Sequence, residues 1–133
     1  IKSDSAGRKR YIESELVKEG NMAEKAVYSL TEEGEKEFEK LMLEISEQPI
    51  RIFLDFNAVI VNLDSLSPEN QQECLRKIEE NVMLLKSYLE DNIHTKEQMP
   101  EIPETGKAVL QQQYQLAQSM ETWFIQIKAG LEK

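Results

Sequence analysis

Residues able to do covalent or metal chemistry are scarce in this chain: it has one histidine, His94, and one cysteine, Cys74. A nucleophile needs a base beside it, and the usual zinc sites draw on several His and Cys ligands. With one of each, the usual triads and zinc sites are nearly excluded. No phosphate-binding Gly-rich loop, no GxGxxG, no HExxH and no CxxC occurs. The carboxylates are numerous but spread along helical stretches as solvated faces, and no spacing singles out an acid–base pair. Cys74 reads as a plain helical residue, with redox sensing as the alternative. His94 lies at a helix end, where it caps or is solvated. These residues point to no enzyme, no metal and no cofactor.

The elements around them begin with a hairpin. Residues 11–17 alternate, with Tyr11, Glu13, Glu15 and Val17 on one side and Ile12, Ser14 and Leu16 on the other. That is the period-two signature of a half-buried strand, with Ile12 and Leu16 expected to face a core. Residues 26–30 repeat it: Ala26, Tyr28 and Leu30 oppose Val27 and Ser29. Between the runs sits Gly20-Asn21, both tolerant of positive φ. The loop from Lys18 to Lys25 is longer than a two-residue turn, so the register stays open. Thr31 can cap a following helix, with Glu32 and Glu33 favoured by the dipole of its first turn. Phe38, Leu41, Met42 and Ile45 form one apolar stripe on it.

The remainder reads as helix. After Glu47-Gln48-Pro49 comes an apolar block from Ile50 to Leu63, rich in β-branched residues. Its spacing of Phe53, Phe56, Ile60 and Leu63 predicts a helix of about four turns, apolar on most sides and central to the domain or to a dimer seam. Ser67-Pro68 starts a further helix as N-cap and N1. Leu75, Ile78, Val82, Leu85 and Leu89 give it a coiled-coil seam. The stretch 94–105 is a Pro-containing linker. The last helix has its seam at Leu110, Ala117, Met120, Phe124, Ile127 and Leu131, with Val109, Leu116 and Trp123 on an adjoining stripe. That face is wide enough for two partners, one the preceding helix and one a second subunit. The alternative is a monomeric bundle with all seams filled internally.

Composition sets further bounds. The chain has 133 residues, 40% hydrophobic and 31% charged, in keeping with a helix-rich protein. Its longest apolar run, Ala58–Val61, is far short of a membrane span. Ile1 is followed by charges, so no signal peptide is read, and one cysteine suits a reducing cytoplasm. The net charge is −9, but unevenly placed: residues 1–31 hold six Lys/Arg and five Asp/Glu, residues 32–133 ten and twenty. The acidic part repels phosphates and the hairpin end does not. A protein that meets DNA with one end and a partner subunit with the other shows this asymmetry, and so do many unrelated helical proteins.

The segment Tyr11-Ile12-Glu13-Ser14 followed by Tyr28-Ser29-Leu30-Thr31-Glu32-Glu33-Gly34 resembles the wing and wing exit of PadR-family transcriptional regulators. In that family "GYI" opens the first wing strand and "Y.LT..G" closes the second before the dimerisation helices. The resemblance covers residues 10–46. Arg10 stands where the pattern has Gly. The family places three helices ahead of the wing, including the recognition helix. Residues 1–10 do not read as one element; the expectation is that they are pieces of a longer N-terminal domain, Ile1-Lys2-Ser3 from one helix and Arg8-Lys9 from another.

The resemblance implies a mainly α fold with a small β-hairpin. It divides the chain into a winged helix-turn-helix remnant over 1–31 and a helical dimerisation domain over 32–133. It implies a DNA-binding regulator, a cytoplasmic repressor that binds double-stranded operator DNA as a homodimer. By wing-tip position, Lys18, Asn21 and Lys25 would touch phosphates, joined by Arg8, Lys9 and Arg10 if these lie next to the wing. The alternative is ordinary solvated lysines balanced by Glu19 and Glu24. Dimerisation would use Leu75, Ile78, Val82, Leu85, Leu89, Leu110, Ala117, Met120, Phe124 and Ile127. Some such regulators sense small aromatic molecules; Tyr114, Trp123 and Phe124 could stack on one, or simply pack a core. A helical protein–protein adaptor without DNA binding is the other functional class the residues allow.

Overall fold

In the computed structural model, which describes residues 10–18, 20 and 23–131, the chain begins as an antiparallel hairpin. Strand β1 (Ile12–Val17) pairs with β2 (Lys25–Leu30), from Ile12 opposite Leu30 to Val17 opposite Lys25. The register left open by the loop is thus set. In the turn, Gly20 has φ of 58°, the left-handed conformation that glycine adopts without a steric penalty. Side chains alternate across the sheet. Ile12, Ser14, Leu16, Ala26, Tyr28 and Leu30 share one face. Glu13, Glu15, Val17, Lys25, Val27 and Ser29 share the other.

Helix α1 (Glu32–Ser46) follows β2 after one residue, Thr31. Thr31 ties the two elements together. Its Oγ1 accepts from Gly34 N–H at 3.0 Å and donates to the Arg10 carbonyl at 2.7 Å. Its own N–H donates to the Tyr11 carbonyl at 3.1 Å. The first turn of α1 is therefore fastened to the chain entering β1. Glu32, Glu33 and Glu35 lie at the positive end of the helix dipole. The far end has no basic residue in its last turn, and Pro49 follows just beyond. The apolar stripe of Phe38, Leu41, Met42 and Ile45 forms on α1 as expected and is exposed.

One expectation for the hairpin needs correction. Ile12 is half-buried, but Leu16 is 72% exposed and faces no core. α1 packs on the hairpin, and its first turn sits at the Tyr11 end. Leu16 lies at the other end of β1.

The chain divides into two compact units, Ile1–Ile52 and Phe53–Lys133. The boundary lies inside the stretch 32–133 that the sequence assigns to dimerisation, so α1 and the hairpin share one unit.

The second unit contains α2 (Asn57–Val61), a 3-10 turn (Leu63–Ser65), α3 (Pro68–Glu97) and α4 (Glu104–Leu131). The expected four-turn helix over 50–63 is not formed. Residues 50–54 have no regular structure, and α2 has only 5 residues. The reasons are local. The β-branched Ile50 and Ile52 disfavour helix at its start. Phe56, at the N-cap, supplies no side-chain cap. Asn62, with φ of −108°, bonds its amide back to the Ala58 carbonyl at 2.7 Å and ends the helix. Nor is the block central: Ile50 is 92% and Phe53 84% exposed. Only its second half reaches a core, where Phe56, Val59 and Ile60 pack beside the buried Leu63.

α3 begins as read from sequence, with Ser67 Oγ accepting from Asn70 N–H at 3.2 Å and Pro68 in the first turn. The linker to α4 is shorter than expected, since α3 runs to Glu97. α3 and α4 pack antiparallel over a core of Leu63, Leu75, Ile78, Val82 and Phe124, with Leu89 and Ala117 buried further along.

Charge fixes the register of this pair. Lys86 Nζ lies 2.9 Å from Glu121, and Lys128 Nζ 3.3 Å from Glu79. On each helix the two charges are one heptad apart, and their signs are exchanged. A one-heptad slip would set Glu79 against Glu121 or Lys86 against Lys128. Lys86→Glu should therefore lower the thermal midpoint, and adding Glu121→Lys should recover most of the loss; failure of the second change to rescue would remove this account. The hydrogen bond it donates to the Glu121 carboxylate holds the Lys86 ammonium above the usual lysine range. The Tyr114 hydroxyl, donating to Glu90 at 3.0 Å, is likewise held protonated above the usual phenol range. Raised folded-state values mean that both contributions are complete below the ordinary lysine and tyrosine range. They are lost as pH rises through the folded values. Lys86→Met should accordingly flatten the fall of the midpoint in alkali.

Candidate nucleic-acid interface

The hairpin positions its basic residues at two separate places. Lys25 opens β2 opposite Val17, at the end of the ladder, and Lys18 follows directly after Val17. Both are exposed beside the turn. Arg10 lies at the opposite end, next to the first turn of α1, where its carbonyl is held by Thr31. At about 3.3 Å per residue, Arg10 and Lys18 stand roughly 26 Å apart along the strand. Arg10 therefore does not join the lysines in one cluster. Arg8, Lys9 and Asn21 lie outside the described residues.

The two faces differ in charge. One carries Glu13 and Glu15 with Lys25, and the other carries no charged residue in the ladder. A polyanion is repelled by the Glu13–Glu15 face and meets cations only at its ends. The hairpin can thus present Lys18 and Lys25 to a phosphate backbone tip-first, not along its broad face.

What aims the tip is the join at its base. Gly34 is buried, and a Cβ there would overlap the Tyr11 carbonyl oxygen and lie 2.9 Å from its carbon. Only glycine lets the helix come this close to β1. The residue order Thr31-x-x-Gly34 is visible in the sequence, but its partner, the Tyr11 backbone, is not. The one local signal is a glycine in the first turn of a helix, a position it otherwise weakens.

Of the residues read as a dimer seam, Leu75, Ile78, Val82, Leu89, Ala117 and Phe124 are buried by the α3–α4 pairing of the chain itself. Leu110, Met120 and Ile127 are half-buried, and of the ten only Leu85 is substantially exposed. The a/d residues of the two helices thus meet within the chain, the first of the two pairings that the last helix's wide face offers.

The aromatic trio does not converge. Phe124 is in the core. Trp123 stacks on Phe56, with ring centroids 6.0 Å apart, and meets Phe124 edge-on at 6.3 Å. Tyr114 is nine residues earlier on α4, roughly 13 Å along the axis, and bonded to Glu90. A groove of about 480 Å³ between α3 and α4 includes Phe124 with Val82, Met83 and Ile125, but neither of the other two rings. Among the described residues, no group of three or more His, Cys, Asp or Glu is placed to hold a metal ion. No described helix is long and apolar enough to cross a membrane.

In fold, the chain is similar to Bacillus subtilis PadR, solved in complex with operator DNA. The TM-score is 0.70 at 20% identity, covering 90% of this chain and 69% of that one. It is also similar to smu.1604c from Streptococcus mutans UA159, with a TM-score of 0.63 at 21% identity and the same coverage. No family model and no curated protein matches the sequence. The architecture is that of a PadR-like winged-helix fold: a two-stranded hairpin followed by helices.

Proposed function

We propose that this chain is part of a DNA-binding transcriptional regulator of the PadR type, a repressor that binds operator DNA as a homodimer in the cytoplasm. The observation that carries the reading is the hairpin itself. It is fastened through Thr31 and Gly34 to α1 and carries Lys18 and Lys25 at its free end. The fold likeness to a protein solved on operator DNA supports it. Under this reading residues 1–31 serve the DNA and residues 32–133 serve dimerisation. Control by a small aromatic effector has less support, because Tyr114 stands roughly 13 Å along α4 from Trp123 and is bonded to Glu90.

Replacing Lys18 and Lys25 by alanine together should weaken binding to operator DNA. The slope of log K against log salt should flatten by about 2, one for each lysine–phosphate pair. Unchanged affinity and slope would take both lysines out of the interface. A helical adaptor is the second reading, favoured by the exposed apolar stripe of α1. It expects no salt-dependent binding to DNA at all.

A further inference from the structure

On the charged face of the hairpin, Glu13 lies opposite Ser29 and Glu15 opposite Val27, so no cation on β2 faces either carboxylate. Both are exposed, and among the described residues neither has a salt-bridge partner. Same-face neighbours on a strand stand about 7 Å apart, so the two like charges repel each other. The pair therefore contributes nothing to holding β1 and β2 together.

Their distance from the lysines separates two ways of meeting a polyanion. Along β1, Glu15 and Glu13 stand roughly 10 Å and 17 Å behind Lys18. Fixed charges are largely screened beyond about 10 Å at 0.1 M salt. A hairpin that touches DNA with its tip keeps both carboxylates at or beyond that range. A hairpin laid along its charged face brings both against phosphates, and on the uncharged face the ladder offers phosphates nothing. DNA of arbitrary sequence is bound through phosphate charge and in many orientations, whereas base contacts hold a preferred sequence in one.

We propose that Glu13 and Glu15 determine specificity: they close the charged face of the hairpin to phosphates and so weaken binding to arbitrary DNA more than binding to a preferred sequence. The proposal rests on the DNA-binding reading above and assigns its selectivity. Fluorescence anisotropy on the full chain at about 0.1 M salt tests it. Two labelled duplexes serve, one of random sequence and one that the wild-type chain selects from a random pool. A carboxylate about 7 Å from a phosphate weakens contact by up to about threefold. Glu13→Gln with Glu15→Gln should therefore tighten binding to the random duplex by about threefold to tenfold. Binding to the selected duplex should change by less than about twofold, so the affinity ratio falls. Glu97→Gln with Glu101→Gln removes the same charge from exposed positions in the second unit and should alter neither affinity. Equal tightening on both duplexes would mean a firmer hairpin, and equal tightening by the remote variant an effect of net charge. An unchanged affinity for the random duplex would leave the two carboxylates as solubilising charges. Each of these results overturns the proposal, while wild-type binding keeps the regulator reading. A wild-type chain that selects no duplex, or binds none with salt dependence, removes that reading and the proposal with it.

Discussion

Gly34→Ala should detach the hairpin from α1. The added methyl would overlap the Tyr11 carbonyl oxygen, and both the obstacle and its support are backbone. Overpacked side chains usually relax by changing rotamer, at about 1–3 kcal/mol. A carbonyl in the chain entering β1 has no rotamer to change. Relief requires moving β1 or unwinding the first turn of α1, so the loss should reach about 3 kcal/mol. Moving either element also breaks the bonds from Thr31 to Arg10 and Tyr11. Hydrogen exchange should show the amides of Ile12–Val17 and Lys25–Leu30 losing protection while those of α3 and α4 keep theirs. Salt-dependent DNA binding through the hairpin should fall with it. Thr31→Ser, which keeps the hydroxyl, should leave exchange near wild type; Thr31→Ala should lose about 1 kcal/mol, the usual effect of removing a cap. Wild-type protection in the Gly34→Ala hairpin would mean that the close approach has no structural role.

The contrast between Thr31 and Gly34 shows how far the sequence reaches. A cap acts on residues three positions away, so Thr31 and Ser67 are legible from local chemistry, and both cap as expected. Gly34 answers to Tyr11, which no local pattern links to it. The α3 seam is legible for the same reason that its partner is not. Periodicity says that Leu75, Ile78, Val82 and Leu89 share a face, but any apolar helix can fill it, and here α4 of the same chain does. The block from Ile50 to Leu63 carries two signals at once. Its helical spacing competes with β-branched composition and a missing cap, and the local terms win over most of its length. Among the proposed contact residues, the lysines of the hairpin are legible as charges. The separation of Lys18 from Arg10 follows from strand length, whereas the placing of Lys25 beside it follows from the register, which the long turn hides.

The second large effect separates the true core from the apparent one. Phe124 is 2% exposed among Leu63, Leu75, Ile78 and Val82, with Trp123 on its edge. Phe124→Ala removes a ring that no neighbour can replace, since each is already packed in the same small cluster. Such truncations lose about 3–5 kcal/mol, much of the stability of an ordinary domain. Thermal unfolding followed through Trp123 fluorescence should show a large drop in midpoint, because Trp123 reports on this cluster. Phe53→Ala deletes the same ring from a residue that is 84% exposed, and it should shift stability by no more than about 0.5 kcal/mol. A buried four-turn helix over 50–63 demands comparable losses at both positions, because its Phe53 would lie in the core. Equal effects would therefore restore that helix, whereas a large loss at Phe124 beside none at Phe53 fixes the core between α3, α4 and the 3-10 turn at Leu63.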